Sequence, residues 1–255
     1  MISMAFTTYS QEGEHLTLFD WDGLHQFARV LNMDGNIGRQ FWHVLAWTIV
    51  WAVFATFLNY ILGMMLALVI SRMRFGLRRP YMNLAMILGL FPGFMTMVAQ
   101  YFILKSMGLT EGSAIRIGLI VVYSACAGLG FQISKGFMDT IPRSIDEAAI
   151  MDGATQWQVF TRIILPLSKP IVIYTIMTSF MAPWVDFIFA KVLCRANASQ
   201  FTVAIGLWNM LQKEYIYQWY TCFAAGAVLI SIPIAALFLY VQKFYVEGMS
   251  GAVKG

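Results

Sequence analysis

Residues 44–70 read VLAWTIVWAVFATFLNYILGMMLALVI and run straight into SRMRFGLRRP at 71–80. The first stretch contains no Asp, Glu, Lys, Arg or His. It exceeds the roughly 20 apolar residues that cross a bilayer as a helix. The second stretch carries Arg72, Arg74, Arg78 and Arg79 and no acid. An apolar run that ends in a basic cluster reads as a membrane span with its cationic end in the cytoplasm. Working outward, four more apolar segments are long enough to span: 81–104, 117–134, 170–193 and 220–241.

Composition agrees with those runs. Over 255 residues, AVILMFWYC make up 59% and DEKR only 12%. Soluble domains carry about 25% charged residues. So few charges cannot coat a water-facing surface, which excludes a soluble enzyme, a disordered chain and a nucleic-acid binder. The apolar runs are also too long for barrel strands of about 10 residues. The fold class is therefore all-α, a polytopic helical membrane bundle with five predicted spans. Cys126, Cys194 and Cys222 lack ligand spacing and are odd in number, so they read as small hydrophobes near lipid. His15, His25 and His43 precede the first span and form no cluster with carboxylates at metal spacing. No metal site and no catalytic site is expected.

Basic residues set the topology. With the 71–80 loop inside, the loop between the third and fourth spans and the tail after the fifth fall on the same side. Those segments hold Lys135, Arg143, Arg162, Lys169, Lys243 and Lys254. The chain then divides into an extracytoplasmic segment 1–43, a transmembrane domain 44–242 containing a cytoplasmic loop 135–169, and a cytoplasmic tail 243–255. Residues 1–41 contain no span. The expectation is either that a first span is missing or that span 44–70 inserts unaided with its N-terminus outside. In segment 14–35, Leu24, Phe27, Ala28 and Leu31 recur at helical spacing, as on a small helix packed against the chain's own loops or touching a partner.

The loop from Lys135 to Pro170 reads KGFMDTIPRSIDEAAIMDGATQWQVFTRIILPLSKP. Ser144 to Glu147 fits the capping box S-x-x-E, and Thr155 to Gln158 fits T-x-x-Q. Gly153 lies where a left-handed residue ends the first helix, and Pro166 is expected to end the second. Trp157, Phe160 and Ile164 define one apolar face of that second helix. Local physics thus predicts a helix, a tight turn and a helix. An amphipathic hairpin lying in the headgroups would satisfy the same pattern.

The identities go further. Glu147, Ala148, Ala149, Gly153, Ile163, Leu165 and Pro166 reproduce EAA-x3-G-x9-I-x-LP, so the chain resembles permease subunits of ABC-type importers. The flanking residues, Ala182-Pro183-Trp184-Val185-Asp186-Phe187 and the tail from Gly248 to Gly255 are similar to the carbohydrate-uptake branch, the MalG type of maltose and maltodextrin permease. The front, FDWDGLHQFARVL, resembles the outside segment of the MalF type. Members of this family normally have six or more spans.

The resemblance implies a division of labour. The permease forms half of a pathway beside a second, MalF-like permease and does not hydrolyse ATP. Two cytoplasmic ATPase subunits bind ATP and Mg, and this chain binds no cofactor. A solute-binding protein delivers cargo outside, and the home is a bacterial inner membrane with the C-terminus cytoplasmic. The EAA helix docks in a cleft on the ATPase, with Glu147 facing a basic residue there. Ala148 and Ala149 allow close approach, and Gly153 makes the turn. Glu147 has a second reading, as a capping-box carboxylate only. Gly251, Lys254 and Gly255 lie in a tail that reaches between the ATPases by the same likeness, or simply frays.

Inside the spans, Pro92 and Gly93 break the second span and mark either a pathway wall or a plain kink. Rare intramembrane polar residues are informative. Asn59 and Asp186 are pathway candidates that also serve as packing or interface groups, and Gln100 and Gln132 join them. Trp184 and Tyr123 are candidate surfaces for stacking sugar rings. The resemblance leaves open the same machinery carrying another polar solute, such as glycerol phosphate, because the EAA motif does not separate cargoes. A secondary transporter would need intramembrane charges or inverted repeats, and neither is evident. A membrane enzyme would need clustered His, Asp or Glu, and only Asp186 lies near the spans.

Overall fold

The computed structural model describes residues 2–6, 23–32, 41–125, 127–195, 200–212 and 216–252. Among the described residues every regular element is helical. After a 3-10 turn at Ser3–Phe6, α1 is His25–Leu31, α2 Phe41–Arg72, α3 Arg78–Gly89 and α4 Gly93–Ser106. Helix α5 is Ala114–Ala125, α6 Ala127–Asp139 and α7 Arg143–Met151. Helix α8, Gln156–Val159, continues through a π turn, Phe160–Ile164, into α9, Leu165–Leu167. Then come α10 Lys169–Val185, α11 Ile188–Cys194, α12 Val203–Met210 and α13 Ile216–Ala252.

Three stretches are long and apolar enough to cross a membrane: Phe41–Arg72, Ala114–Asp139 and Trp219–Gln242. They coincide with the first, third and fifth predicted spans. At 1.5 Å per residue, the 32-residue α2 is about 48 Å long. That exceeds a hydrocarbon core of about 30 Å, so the helix is longer than the crossing alone requires.

The other two predicted spans are bent. Helices α3 and α4 meet at 110° around Leu90–Pro92, and Gln156–Leu167 meets Lys169–Val185 at 80°. That second bend falls at Ser168, ahead of the expected fourth span at 170–193, which itself stops at Val185, where Asp186–Phe187 separates it from α11. Asp186 drives that break: its Oδ1 accepts the Phe189 N–H at 3.1 Å and opens a new helix. Counting each bent pair as one span gives five.

The chain clusters into two compact units. One comprises Met1–Ala52, Tyr101–Leu119 and Met181–Leu237. Within it, Thr48 Oγ1 accepts the Val203 N–H at 3.1 Å, and Arg116 Nε donates to Gln200 Oε1 at 2.6 Å. Helix α1 belongs here and corrects the expected face. Gln26 and Val30 are buried, while Leu24 and Leu31 are exposed. Gln26 Oε1 accepts from the Cys222 thiol at 3.3 Å, so a polar contact decides which side packs. Cys194 and Cys222 are free and buried, as expected of small hydrophobes. Burial pushes the Cys194 thiol up to about 12. Cys126 lies outside the described residues.

The second unit comprises Val53–Gln100, Ile120–Phe180 and Phe238–Gly255. Its core joins Met64, Ala67 and Ile70 of α2, Ala85 of α3 and Phe131 and Met138 of α6. Ile141, Ala149 of α7, and Val159, Phe160 and Ile164 from the second loop helix complete the core.

Candidate functional site

Helices α7 and α8 form the helix, turn and helix read from the loop. Pro142 occupies the N-cap of α7 with φ −58° and ψ 134°, and no side chain caps this end. The expected S-x-x-E box is therefore not made. Proline's fixed φ suits the start of a helix, so the helix begins before Ser144, which lies inside it. Glu147 is left exposed.

The far end of α7 closes as expected. Gly153 takes φ +86°. Its N–H donates to Ile150 O at 2.9 Å, and Ala154 N–H reaches Ala149 O at 3.0 Å. This pair of bonds satisfies the last carbonyls of the helix. The T-x-x-Q box forms in full. Gln158 N–H donates to Thr155 Oγ1 at 3.3 Å, and Thr155 N–H donates to Gln158 Oε1 at 2.8 Å.

Pro166 does not end the second helix. Its missing N–H and its ring forbid the ordinary bond to the carbonyl four residues back. The π turn just upstream absorbs the misfit, with Leu165 N–H donating to Phe160 O. The chain passes through Pro166 to Leu167 and bends at Ser168. The wider turn also changes which side faces in. Phe160 and Ile164 are buried as expected, but Trp157 is 60% exposed and Val159 takes its place inside.

The seven motif residues therefore divide between two faces. Ala149 is buried, and Ile163 and Leu165 pack on the unit's core. Glu147, Ala148, Gly153 and Pro166 are exposed, beside Ile150 and the 86% exposed Met151. Ala149 meets this chain's own core, while Ala148 is the alanine of the pair left open to close approach from outside. The exposed strip sets two carboxylates, Glu147 and Asp152, beside small and apolar side chains. That chemistry suits a protein cleft holding a cation.

Sequence reading used Arg72 only as a topological charge. In the structure it lies 3.2 Å from Asp146 Oδ2 and donates to the carbonyls of Met138 and Ile141. The usable signal was an arginine ending an apolar helix together with an acid in the first turn of α7.

Asn59 donates to Tyr123 O at 3.1 Å and is a packing group. Tyr123 and Trp184 are buried in this chain, at 7% and 5% exposed. Asp186 serves the start of α11. Pro92 and Gly93 do mark a break, with Leu90, Phe91 and Phe94 exposed around it. Gln100 and Gln132 are partly buried. Gly251 lies within the backbone of α13, which runs on through the predicted tail to Ala252, while Lys254 and Gly255 lie outside the described residues. Among the described residues no group of His, Cys, Asp or Glu could hold a metal.

The family described as binding-protein-dependent transport system inner membrane component matches residues 59–251. The galactooligosaccharides transport system permease protein GanQ of Bacillus subtilis is 36% identical over 72% of this chain, a match covering 64% of that relative's length. The maltose/maltodextrin transport system permease protein MalG of Vibrio vulnificus is 32% identical over 98% of this chain and 86% of its own. The front of the chain therefore aligns with a MalG relative as well. Among solved structures, a bacterial ABC transporter involved in import of the acidic polysaccharide alginate superposes with a TM-score of 0.76 at 22% identity. That likeness covers 95% of this chain and 88% of the other, and it concerns the fold. A helical membrane chain with this hairpin and this match belongs to the family of binding-protein-dependent transport system inner membrane components.

Proposed function

We propose that the chain is a membrane permease subunit of an ATP-driven importer of oligosaccharides of the maltodextrin or galactooligosaccharide class. It forms half of the pathway beside a second permease. It takes its power from two separate ATPase subunits and its cargo from a solute-binding protein. The hairpin α7–α8 lies on the cytoplasmic side, in a bacterial inner membrane, as does the C-terminus. The observation that carries the docking role is the split hairpin. Its inner face is locked into a core while Glu147, Ala148, Ile150 and Met151 stand exposed on the other side. Glu147 caps nothing and makes no ion pair among the described residues, so its carboxylate is available to a partner cation.

The test is a mild-detergent pull-down of the tagged chain from its native membranes, with mass spectrometry of what co-elutes. An ATPase and a second permease are expected in the eluate. Glu147→Ala should weaken retention of the ATPase about tenfold or more, the size of a truncated interfacial charge pair. The helical content of the variant should not change. A chain that elutes alone and still moves sugar would sink the reading. Uptake of maltotriose compared with a galactooligosaccharide in the reconstituted complex decides between the two sugars.

A further inference from the structure

The last turn of α2 ends in Ser71 and Arg72, and both reach the elbow where α6 turns into α7. Arg72 Nη2 donates to Met138 O at 2.9 Å and to Ile141 O at 3.1 Å. Its Nη1 lies 3.2 Å from Asp146 Oδ2, and the two side chains are only 8% and 15% exposed. One guanidinium thus touches the last turn of α6, the connecting turn and the first turn of α7. Arg143 returns the contact by donating from its Nη2 to Ser71 O at 3.0 Å. Ser71 Oγ donates to Asp139 at the end of α6.

Each charge sits where the helix ends favour it, the cation at the close of α6 and the acid at the opening of α7. Yet the pair is not arranged for stability. Arg72 Nε and Asp146 Oδ1 are buried without a hydrogen-bond partner. Apolar side chains of similar volume commonly replace a buried ion pair without loss. What the guanidinium adds is direction. A planar fork holds several acceptors at fixed angles, and a lysine cannot copy that.

We infer that Arg72 is a positioning residue that fixes α7 to the end of α2, so that displacement of α7 by a docked partner moves α2. Without the staple, the turn at 140–142 absorbs the motion. The inference rests on α7 being the docking element. Coupling requires an element that responds as a unit to what binds it, and the reciprocal arginines make α7, the elbow and the end of α2 such a unit.

The experiment uses the assembled importer in nanodiscs, with Cys126, Cys194 and Cys222 replaced by alanine. Spin labels go on cysteines introduced at exposed Phe54 of α2 and at exposed Ser144 of α7, which lies outside the docking strip. Distances are read by pulsed EPR without nucleotide and after trapping with ATP and vanadate. One narrow distance is expected, the same in both states. Arg72→Gln should add a second population shifted by about 5 Å, one helical turn. If that variant does not assemble, Arg72→Met combined with Asp146→Leu keeps the space filled and should show the same second population. A parent distance that itself switches with nucleotide overturns the inference. So does an apolar pair that stays as narrow and invariant as the parent. Failure of the ATPase to co-purify with the parent chain removes the docking reading instead, and the inference with it.

Discussion

Gly153 shows what one residue fixes in this fold. It turns α7 into α8 at φ +86°, and an added Cβ would meet nothing within 4 Å. The requirement is conformational, not steric. A left-handed residue with a side chain costs about 1–2 kcal/mol, so Gly153→Ala should lower stability by that amount. Chemical denaturation of the purified chain in detergent reads it, and a loss below about 0.5 kcal/mol would show that the turn tolerates a side chain. The need was legible in the sequence, since a glycine stood between two helix-start patterns. Glu147 was half legible. Its motif position was clear, but its freedom depended on Pro142 taking the N-cap, which moves the helix start ahead of Ser144.

The loop helices show where periodicity reads well and where it fails. Spacing of 3.6 residues put Trp157, Phe160 and Ile164 on one face, and two of the three are inside. The π turn forced by Pro166 shifts the phase and rotates Trp157 out, and a regular helical pattern cannot foresee it. Burial ranks the consequences. Ile164 is 1% exposed, so Ile164→Ala should cost about 2–5 kcal/mol. Trp157 is 60% exposed, so Trp157→Ala should stay within about 0.5 kcal/mol unless a partner is bound. Equal losses for the two, measured on the chain alone, would contradict this buried face. Helix α1 failed for a different reason. In a chain that meets lipid and partners, apolar residues face outward as readily as inward, so the spacing of Leu24, Phe27, Ala28 and Leu31 did not say which side packs.

At the scale of the molecule, the same ambiguity governs the apolar surface. Helix α2 exposes Phe54, Phe57 and Leu62, and the α3–α4 bend exposes Leu90, Phe91, Phe94 and Met95. Residue type alone treats these two surfaces alike. Backbone chemistry separates them. Helix α2 is unbroken from Phe41 to Arg72, so its peptide groups are satisfied internally and lipid can cover it. The bend has no such freedom. Pro92 lacks an N–H, and the helix is interrupted from Leu90 to Pro92 before Gly93 starts the next one. Irregular backbone at membrane depth is stable only against protein or water. Single cysteines at Phe91 and Phe94 in the assembled complex should therefore react with a water-soluble maleimide, while cysteines at Phe54 and Phe57 should not. Lipid-like protection at all four positions would remove the bend from the pathway and leave it a kink packed against a partner. Reaction at Phe91 and Phe94 that slows when maltotriose is transported would make the broken span a wall of the route.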